Sequence, residues 1–321
     1  MIVTEIYRGS GLGNQIWNLV VSRILAEHHG YEWGVKKTTP FKAIKFMPTF
    51  NFGTEIITGH TFKEGQPPEK LPDGVYNYIR ERNDSLPQCG HSGIFFDDYL
   101  WNNLPDNSKI DGLFQCLGYI KDRKSDIRTW LTHNINITDY SHEDICIIHF
   151  RGGEYLITAS WVPPKFYSDA RDKMLEINPN MKFFVVTDDP INANIYIPWA
   201  SVIGSTTVDE KEDIEQGTGF FKYQGGNIGI DYSILHNAKN VIMSASTFSF
   251  WPVWTSKNSP NVIAPKYWFD HKQSDGWWRG DDMIVPEWKY LDTNNVLFDS
   301  DTCIQEYQTY KTKIPFYSKI L

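Results

Sequence analysis

Hydroxyl-bearing residues follow a short apolar segment late in the chain, in the stretch Ser244-Ala245-Ser246-Thr247. An aromatic-rich segment with helical spacing comes directly after them. The start of a helix offers unpaired backbone N–H groups and the positive end of the helix dipole, and serine and threonine add hydroxyl donors. The stretch therefore predicts a phosphate-binding turn that contains Ser246 and Thr247.

Two other apolar segments also end in polar residues. The first is followed by His149-x-Arg151-Gly152-Gly153-Glu154-Tyr155, and the second by Thr187-Asp188-Asp189-Pro190. Strand alternation directs His149 and Arg151 to the same side, and a planar guanidinium suits the paired oxygens of a diphosphate. Because parallel strands end at one edge of their sheet, the three segments predict a nucleotide or sugar-phosphate site.

Each of these groups also has a purely structural interpretation. Arg151 can pair with Glu154, and a histidine on a strand is more often a hydrogen-bonded structural group than a catalyst. We keep His149 as a positioning group. Asp188 and Asp189 can accept N–H groups of a purine, or one of them can cap the next helix.

A glycine loop, Gly9-x-Gly11-x-Gly13, joins the first predicted strand to a helix. Its spacing is not that of a dinucleotide fingerprint, and it lacks the lysine of a P-loop. A tight turn that needs glycine and a close approach to a phosphate or sugar explain it equally well. Asn14 and Gln15 follow at the helix start, where they can cap the helix or donate to a ligand.

Composition narrows the function classes. A net charge of −8 and a pI near 5.6 argue against a nucleic-acid binder, which needs a basic surface. Asp188-Asp189 lacks metal-chelating Asp-x-Asp spacing and no zinc motif is present, so we predict no metal. No signal peptide or membrane-spanning run is found. We expect a cytoplasmic protein; a peripheral membrane contact and the oligomeric state stay open.

The order of predicted elements indicates an α/β protein. Strands near residues 145–150, 182–187, 200–203, 240–243 and 261–264 alternate with helices near 164–177, 226–238 and 246–256. Such alternation is typical of βαβ units and a parallel sheet. The first half begins with a strand at 2–7 and a helix at 14–29, and helices are also predicted at 120–133 and 302–312. A polar stretch places the domain boundary between 138 and 139, and residues 61–90 and 208–226 are predicted surface loops.

Four motifs in sequence order carry a family resemblance. They are Gly11-Leu12-Gly13-Asn14-Gln15, then His149-x-Arg151-x-Gly153-Glu154-Tyr155, then residues 184–189, then residues 246–251. The chain resembles glycosyltransferase family 11, the α-1,2-fucosyltransferases, whose pattern is G-L-G-N-Q, H-x-R-R-G-D-Y, F-x-x-F-S-D-D and S-x-S-T-F-S-W-W. Three positions depart from it: Gly152 replaces the second arginine, Glu154 the aspartate, and Phe250 a tryptophan.

The resemblance implies a GT-B fold, with two Rossmann-like parallel-sheet domains facing a cleft. It implies an acceptor-side domain over 1–138 and a donor domain over 139–321. The implied reaction is an inverting, metal-independent transfer of fucose from GDP-fucose to a hydroxyl of a glycan acceptor, O2 of a terminal galactose. GDP-fucose is then the donor substrate, and no further cofactor is expected.

The resemblance also implies roles for individual residues. Arg151 would bind the donor β-phosphate, and Asp188 or Asp189 would lie near guanine. The remaining implied donor contacts are Gly11, Gly13, Asn14, Gln15, His149, Thr187, Ser246, Thr247 and Phe248. Glu154 is a candidate general base by position, with an unassigned residue of the N-terminal half as the alternative. Gly152 keeps two other hypotheses open, a non-catalytic GDP-sugar or glycan binder and a transferase that uses another nucleotide sugar.

Overall fold

A computed structural model describes most of the chain. The described residues are 1–60, 67–81, 85–86, 91–92, 96–203, 227–258, 260–274, 276–278 and 283–313. The predicted loop at 208–226 lies outside them, as do parts of the predicted loop at 61–90. The chain divides into two compact units, of which the first is Met1–Asn134 and the second begins at Ile135. This division falls four residues before the predicted boundary.

The first unit contains a five-stranded parallel sheet in the order β3-β2-β1-β7-β4. Its strands are β1 (Ile2–Ile6), β2 (Trp33–Lys37), β3 (Thr54–Ile56), β4 (Asn77–Arg80) and β7 (Ser108–Asp111). Its helices are α1 (Leu12–His29), α2 (Asp98–Asn103) and α3 (Lys124–Trp130). A separate antiparallel pair is formed by β5 (Ser85–Leu86) and β6 (His91–Ser92).

Helix α1 forms because its apolar residues recur at helical spacing. Ile16, Leu19, Val20 and Ile24 are all buried, as expected for the face of a helix that packs on a sheet. The helix ends at Gly30, whose φ of 71° is the left-handed conformation that glycine adopts most readily. The predicted helix was correct except that it begins at Leu12 rather than Asn14.

The second unit contains a seven-stranded sheet in the order β10-β9-β8-β11-β12-β13-β14. Its strands are β8 (Ile145–Phe150), β9 (Lys182–Thr187), β10 (Ser201–Val202), β11 (Asn240–Ile242), β12 (Asn261–Pro265), β13 (Lys289–Leu291) and β14 (Leu297–Asp299). Its helices are α4 (Pro164–Ile177), α5 (Pro190–Tyr196), α6 (Ile228–Asn237), α7 (Thr247–Thr255) and α8 (Ser300–Lys313). Only the β13–β14 pair is antiparallel.

The central strand β8 fixes where the polar strand ends lie. All six of its residues are buried, and it pairs in parallel with β9 and β11 on its two sides. Phe150 is opposite Thr187, and Ile148 is opposite Ile242. The residues that follow these three strands therefore leave the sheet at the same edge. The α/β class and the two parallel-sheet domains predicted from the sequence are confirmed.

Candidate functional site

The sheet order of the second unit marks a switch point between β8 and β11. From β8 the chain adds β9 and β10 on one side, and then crosses back to add β11 and β12 on the other. In open α/β sheets, ligands bind beyond the carboxyl ends of the two strands where this direction reverses. Arg151 follows β8 here, and the Ser244–Ser246 turn follows β11. Asp188 and Asp189 follow β9, which pairs with β8 on its other side, so the fold brings all three segments that the sequence singles out to one sheet edge.

Arg151 is held by two carboxylates. Its Nη1 donates to Asp188 and its Nη2 donates to Glu154, and its guanidinium carbon lies 4.9 Å from the centre of the Tyr155 ring, within cation–π range. The side chain of Glu154 is 43% exposed and that of Asp188 is 17% exposed. Glu154 is therefore the partner that solvent or a ligand reaches more easily, while Asp188 orients the guanidinium from the protein side.

The two aspartates after β9 fix the backbone of the loop after β8. Asp188 Oδ1 accepts from the Gly152 N–H at 2.9 Å, and Asp189 Oδ2 accepts from the Gly153 N–H at 3.1 Å. Asp189 also caps α5 through the Asn192 N–H. The capping interpretation is thus correct for Asp189. The predicted contact of either carboxylate with guanine stays a prediction.

Gly152, at the position of the missing second arginine, is packed against Asp189. A Cβ atom on Gly152 would lie 2.4 Å from Asp189 Cβ and 2.7 Å from its Oδ2. Real Cβ atoms do not approach other heavy atoms that closely, so any side chain here requires the backbone to move. Asp189 occupies the space that a side chain at position 152 would need.

His149 joins β8 to the hydroxyl turn. Its Nδ1 lies 2.6 Å from Ser244 Oγ, and its ring centre is 5.7 Å from that of Phe248. Burial, with a further contribution from the Arg151 charge, lowers the pKa of His149 to about 3. The imidazole is therefore neutral at physiological pH. This environment fits a positioning group, and the donor contact of His149 stays a prediction.

The hydroxyl turn starts helix α7 as predicted. Ser246 is the N-cap residue, and its hydroxyl accepts from the Phe248 N–H at 3.3 Å. Thr247 and Phe248 are half-buried at the first turn, where backbone N–H groups point out of the helix. Phe250, the residue that replaces a tryptophan, is buried against Trp251 and Trp254. The donor roles of Ser246, Thr247, Phe248 and Thr187 stay predictions.

Asp231, in the first turn of α6, is a polar group that the sequence argument missed. It is 7% exposed, and its Oδ1 accepts no hydrogen bond from the described residues. Burial, together with the nearby Asp188 carboxylate, raises its pKa to about 8. A carboxyl group of this kind is a protonated donor at neutral pH. The sequence signal that could have identified this group was an acidic residue in the first turn of a predicted apolar helix.

The glycine loop lies at the corresponding switch point of the first unit. Strand β1 has β2 on one side and β7 on the other, and the loop follows β1 directly. Gly9 has a φ of 82° and serves the turn, whereas Gly11 has a φ of −67° that any residue adopts. A Cβ atom on Gly11 would meet no atom within 4 Å. The left-handed backbone of the turn therefore explains why residue 9 is glycine. Neither the backbone conformation nor close packing requires glycine at position 11.

Asn14 and Gln15 have different surroundings. The N-cap of α1 is Gly11 and receives no side-chain hydrogen bond, so the capping interpretation was wrong for both residues. Gln15 is buried and its Oε1 accepts from the Lys42 N–H at 3.0 Å. Asn14 is half-buried, and its Oδ1 accepts from Gln115 Nε2 at 3.1 Å. Asn14 is thus better placed than Gln15 to meet a ligand; the donor roles of Gly11, Gly13, Asn14 and Gln15 stay predictions.

Within the described ranges, no three His, Cys, Asp or Glu side chains are grouped so that they could hold a metal ion. In the same part of the chain, no helix combines the length and apolarity needed to cross a bilayer.

The chemistry that the described groups of the second unit can perform is electrostatic. One oriented guanidinium, a hydroxyl turn and a helix start at one sheet edge can bind an anion that carries several oxygens.

Comparison with known proteins gives one curated relative. No family model matches the chain. The chain is similar to an α-1,2-colitosyltransferase from Escherichia coli, with 24% identity over 176 residues. The match covers 50% of this chain and 56% of the relative, so the chain spans little more than half the length of that protein. The similarity supports a relationship to glycosyltransferases, and membership of family 11 stays a prediction.

Solved structures with a similar backbone path are also named as glycosyltransferases. An α-1,6-fucosyltransferase, NodZ, soaked with GDP-fucose, has a TM-score of 0.42 and 15% identity, with 93% of this chain and 98% of that chain covered. The heptosyltransferase WaaC of E. coli, with ADP, has a TM-score of 0.39 and 8% identity, with 98% of each chain covered. At these TM-scores the likenesses carry no argument about function.

Proposed function

We propose that this protein is an inverting, metal-independent glycosyltransferase that moves fucose from GDP-fucose to a glycan hydroxyl, O2 of a terminal galactose. The observation that carries the proposal is the position of Arg151. It lies at the switch point of the second sheet, oriented by Asp188, and follows the strand whose neighbour β11 leads into the hydroxyl turn. The similarity to an α-1,2-colitosyltransferase supports the same class of reaction.

The proposed reaction needs a group that stabilises the leaving diphosphate. The acceptor oxygen forms a bond to the anomeric carbon while the bond from that carbon to the β-phosphate oxygen breaks. The bonding electrons go to GDP, whose diphosphate gains negative charge. Arg151, with the hydroxyls of Ser246 and Thr247, would meet that charge. Such preorganised donors are commonly the largest contribution to catalysis.

The hydroxyl proton of the acceptor must go to a base. Glu154 stays a candidate, since it is exposed enough to meet an acceptor. Its ion pair with Arg151 stabilises the carboxylate form and so weakens it as a base. The alternative is an unassigned residue of the N-terminal half. We retain both hypotheses.

The decisive experiment is Arg151→Ala, assayed with GDP-fucose and a galactose-terminated acceptor. We expect kcat to fall by about a hundredfold or more, the usual cost of one lost transition-state donor. Arg171→Ala is the matched control. Arg171 is on α4 of the same unit, where its guanidinium pairs with Asp172 and lies over the Trp199 ring. Turnover of Arg151→Ala within a few-fold of the control would contradict the proposed role.

A protein that binds GDP-sugars without turnover is the second candidate. The observation that favours it is the pairing of Arg151 with two carboxylates, together with the glycine at position 152. A thermal-shift series with GDP, UDP, ADP and CMP tests the nucleotide, because a ligand that binds only the native state stabilises it. Stabilisation by GDP without release of GDP from GDP-fucose in the presence of acceptors would favour the binder. Stabilisation by UDP alone would overturn the donor assignment.

A further inference from the structure

Glu81 follows β4 in the first unit and is almost completely buried, with 1% exposed. Its Oε2 accepts from the Leu113 N–H at 2.9 Å and from the Phe114 N–H at 2.8 Å. Its Oε1 accepts no hydrogen bond from the described residues. One carboxyl oxygen of Glu81 thus accepts both hydrogen bonds from the turn that follows β7.

The turn at 112–114 depends on that carboxyl group. Phe114 is buried and has a φ of 52°, a left-handed conformation that costs a non-glycine residue about 1 kcal/mol or more. A Cβ atom on Gly112 would lie 2.5 Å from Glu81 Cβ and 2.7 Å from Oε2. The turn is therefore packed directly on Glu81, and its hydrogen bonds to Oε2 offset the cost of the Phe114 conformation.

This turn leads directly into the residue that contacts the glycine loop. Gln115 is 5% exposed and follows Phe114, and its Nε2 donates to Asn14 Oδ1 at 3.1 Å. That hydrogen bond sets which way the Asn14 amide points. A shift of the turn would move Gln115 and release Asn14 from this orientation.

We propose that Glu81 is a positioning residue for the glycine loop, acting on Asn14 through the 112–114 turn and Gln115. This inference rests on the proposed function, in which Asn14 is a donor contact. Glu81 itself touches neither substrate. Its loss should weaken donor binding more than it slows the chemical step, because Arg151 and the hydroxyl turn are unchanged.

The carboxyl group of Glu81 can be replaced by an uncharged acceptor of the same shape. Burial raises its pKa, the backbone N–H groups of Phe114 and Leu113 oppose the rise, the carboxylates of Asp97 and Asp111 add to it, and the resulting pKa is about 8. Among the described residues, the phenol of Tyr119 also faces it. The carboxyl group is therefore neutral at pH 7, and above pH 8 a negative charge appears among acidic groups. Glu81→Gln keeps a carbonyl acceptor and cannot ionise.

The experiment compares donor KM in the wild type and in Glu81→Gln between about pH 6.5 and about pH 9.5. The ratio of the two KM values cancels every other group that titrates in both proteins. We expect a ratio within about threefold of one across this range, because the amide oxygen of Gln and both protonation states of the Glu81 carboxyl group accept from the Leu113 and Phe114 N–H groups. Glu55→Gln, an exposed glutamate on β3, is the control and should show a constant ratio.

Each outcome separates the hypotheses. Glu81→Ala removes the acceptor and should raise donor KM about tenfold with a smaller change in kcat. An unchanged donor KM in a folded Glu81→Ala variant would overturn the positioning role while leaving the transferase proposal intact. If Glu81→Ala does not fold, Gln115→Ala decides in the same way, because it removes the hydrogen bond to Asn14. A wild-type protein that neither binds GDP nor transfers sugar would overturn the proposed function, and this inference with it.

Discussion

At the scale of single residues, the state of Arg151 has a direct consequence for anion binding. Asp188 uses one oxygen on the guanidinium and the other on the Gly152 N–H, so its departure would also release the loop. Glu154 pairs with Nη2 and is the more exposed partner. An incoming diphosphate would therefore compete with Glu154 for Nη2, and Asp188 would stay in place.

Glu154→Gln tests whether this carboxylate competes with the donor or serves as the base. If it competes, we expect GDP to bind about threefold to tenfold more tightly, because an amide holds the guanidinium more weakly than a carboxylate does. Calorimetric titration with GDP measures this directly. If Glu154 is the base, kcat should instead fall by about a hundredfold or more, in line with the usual contribution of general base catalysis.

The control for this substitution is Glu176→Gln. Glu176 is on α4 of the same unit and pairs with Lys173 on the surface. Its replacement should leave both GDP affinity and kcat unchanged, because exposed ion pairs contribute little. Unchanged affinity and unchanged kcat in Glu154→Gln would contradict both roles.

At the scale of elements, two strand-to-helix loops contain glycines that respond differently to a methyl group. Gly152→Ala should destabilise the protein by about 1–3 kcal/mol, because the new Cβ overlaps Asp189. Gly11→Ala should cost about 1 kcal/mol or less, the difference between glycine and alanine at an N-cap. If Gly11 approaches the donor, its replacement should nevertheless weaken GDP binding about tenfold.

Chemical denaturation measures the stability of both variants, and GDP titration measures the affinity. The informative result is the contrast, with stability lost in Gly152→Ala and affinity lost in Gly11→Ala. A Gly11→Ala protein that binds GDP as well as the wild type would remove the glycine loop from the donor site.

The sequence predicted the elements with a strong apolar pattern and missed the two edge strands of the first sheet, β3 and β4. Strands β8 and β9 and helix α4 have the predicted bounds, because each combines a buried apolar pattern with clear ends. Strands β3 and β4 are exposed or half-buried edge segments of three or four residues, so they carry little pattern. The helix predicted at 120–133 is one 3-10 turn (Lys121–Arg123) followed by a shorter α3.

The candidate site was predictable only where ligand-type residues follow a recognisable strand. Arg151 and Ser246 satisfy that condition. Asp231 and Glu81 do not, because their unusual chemistry arises from burial by residues distant in sequence. Asp188 and Asp189 accept hydrogen bonds from the backbone N–H groups of Gly152 and Gly153. These contacts could not be predicted, because the two glycines are more than 30 residues away in sequence.

At the scale of the whole molecule, buried neutral carboxyl groups set how stability depends on pH. The pKa of Asp231 is raised to about 8 from an ordinary value of 3.8, chiefly by burial and then by Asp188. The native state therefore keeps a proton that the unfolded chain releases between about pH 4 and pH 8. The free energy of unfolding should fall as pH rises through that window, by at most about 1.4 kcal/mol per pH unit.

Asp231→Asn should make this dependence shallower, because the amide cannot ionise in either state. Thermal unfolding of the wild type and the variant from about pH 5 to about pH 9 measures the effect. The difference in Tm between the two proteins should change in favour of the variant as pH rises, and should level off above pH 8. A difference that is independent of pH would show that Asp231 is not neutral in the native protein.

The contact between Gly152 and Asp189 also bears on how a second arginine at position 152 could be gained. Arginine at position 152 would collide with the Cβ and the carboxylate of Asp189, and because every residue except glycine has a Cβ, only Asp189→Gly as a first step would clear the space without a backbone shift. That first step removes the cap of α5 and the hydrogen bond to Gly153, so the intermediate is less stable than either end point. The two positions are expected to be epistatic, with the order of substitution constrained in evolution and in directed libraries alike.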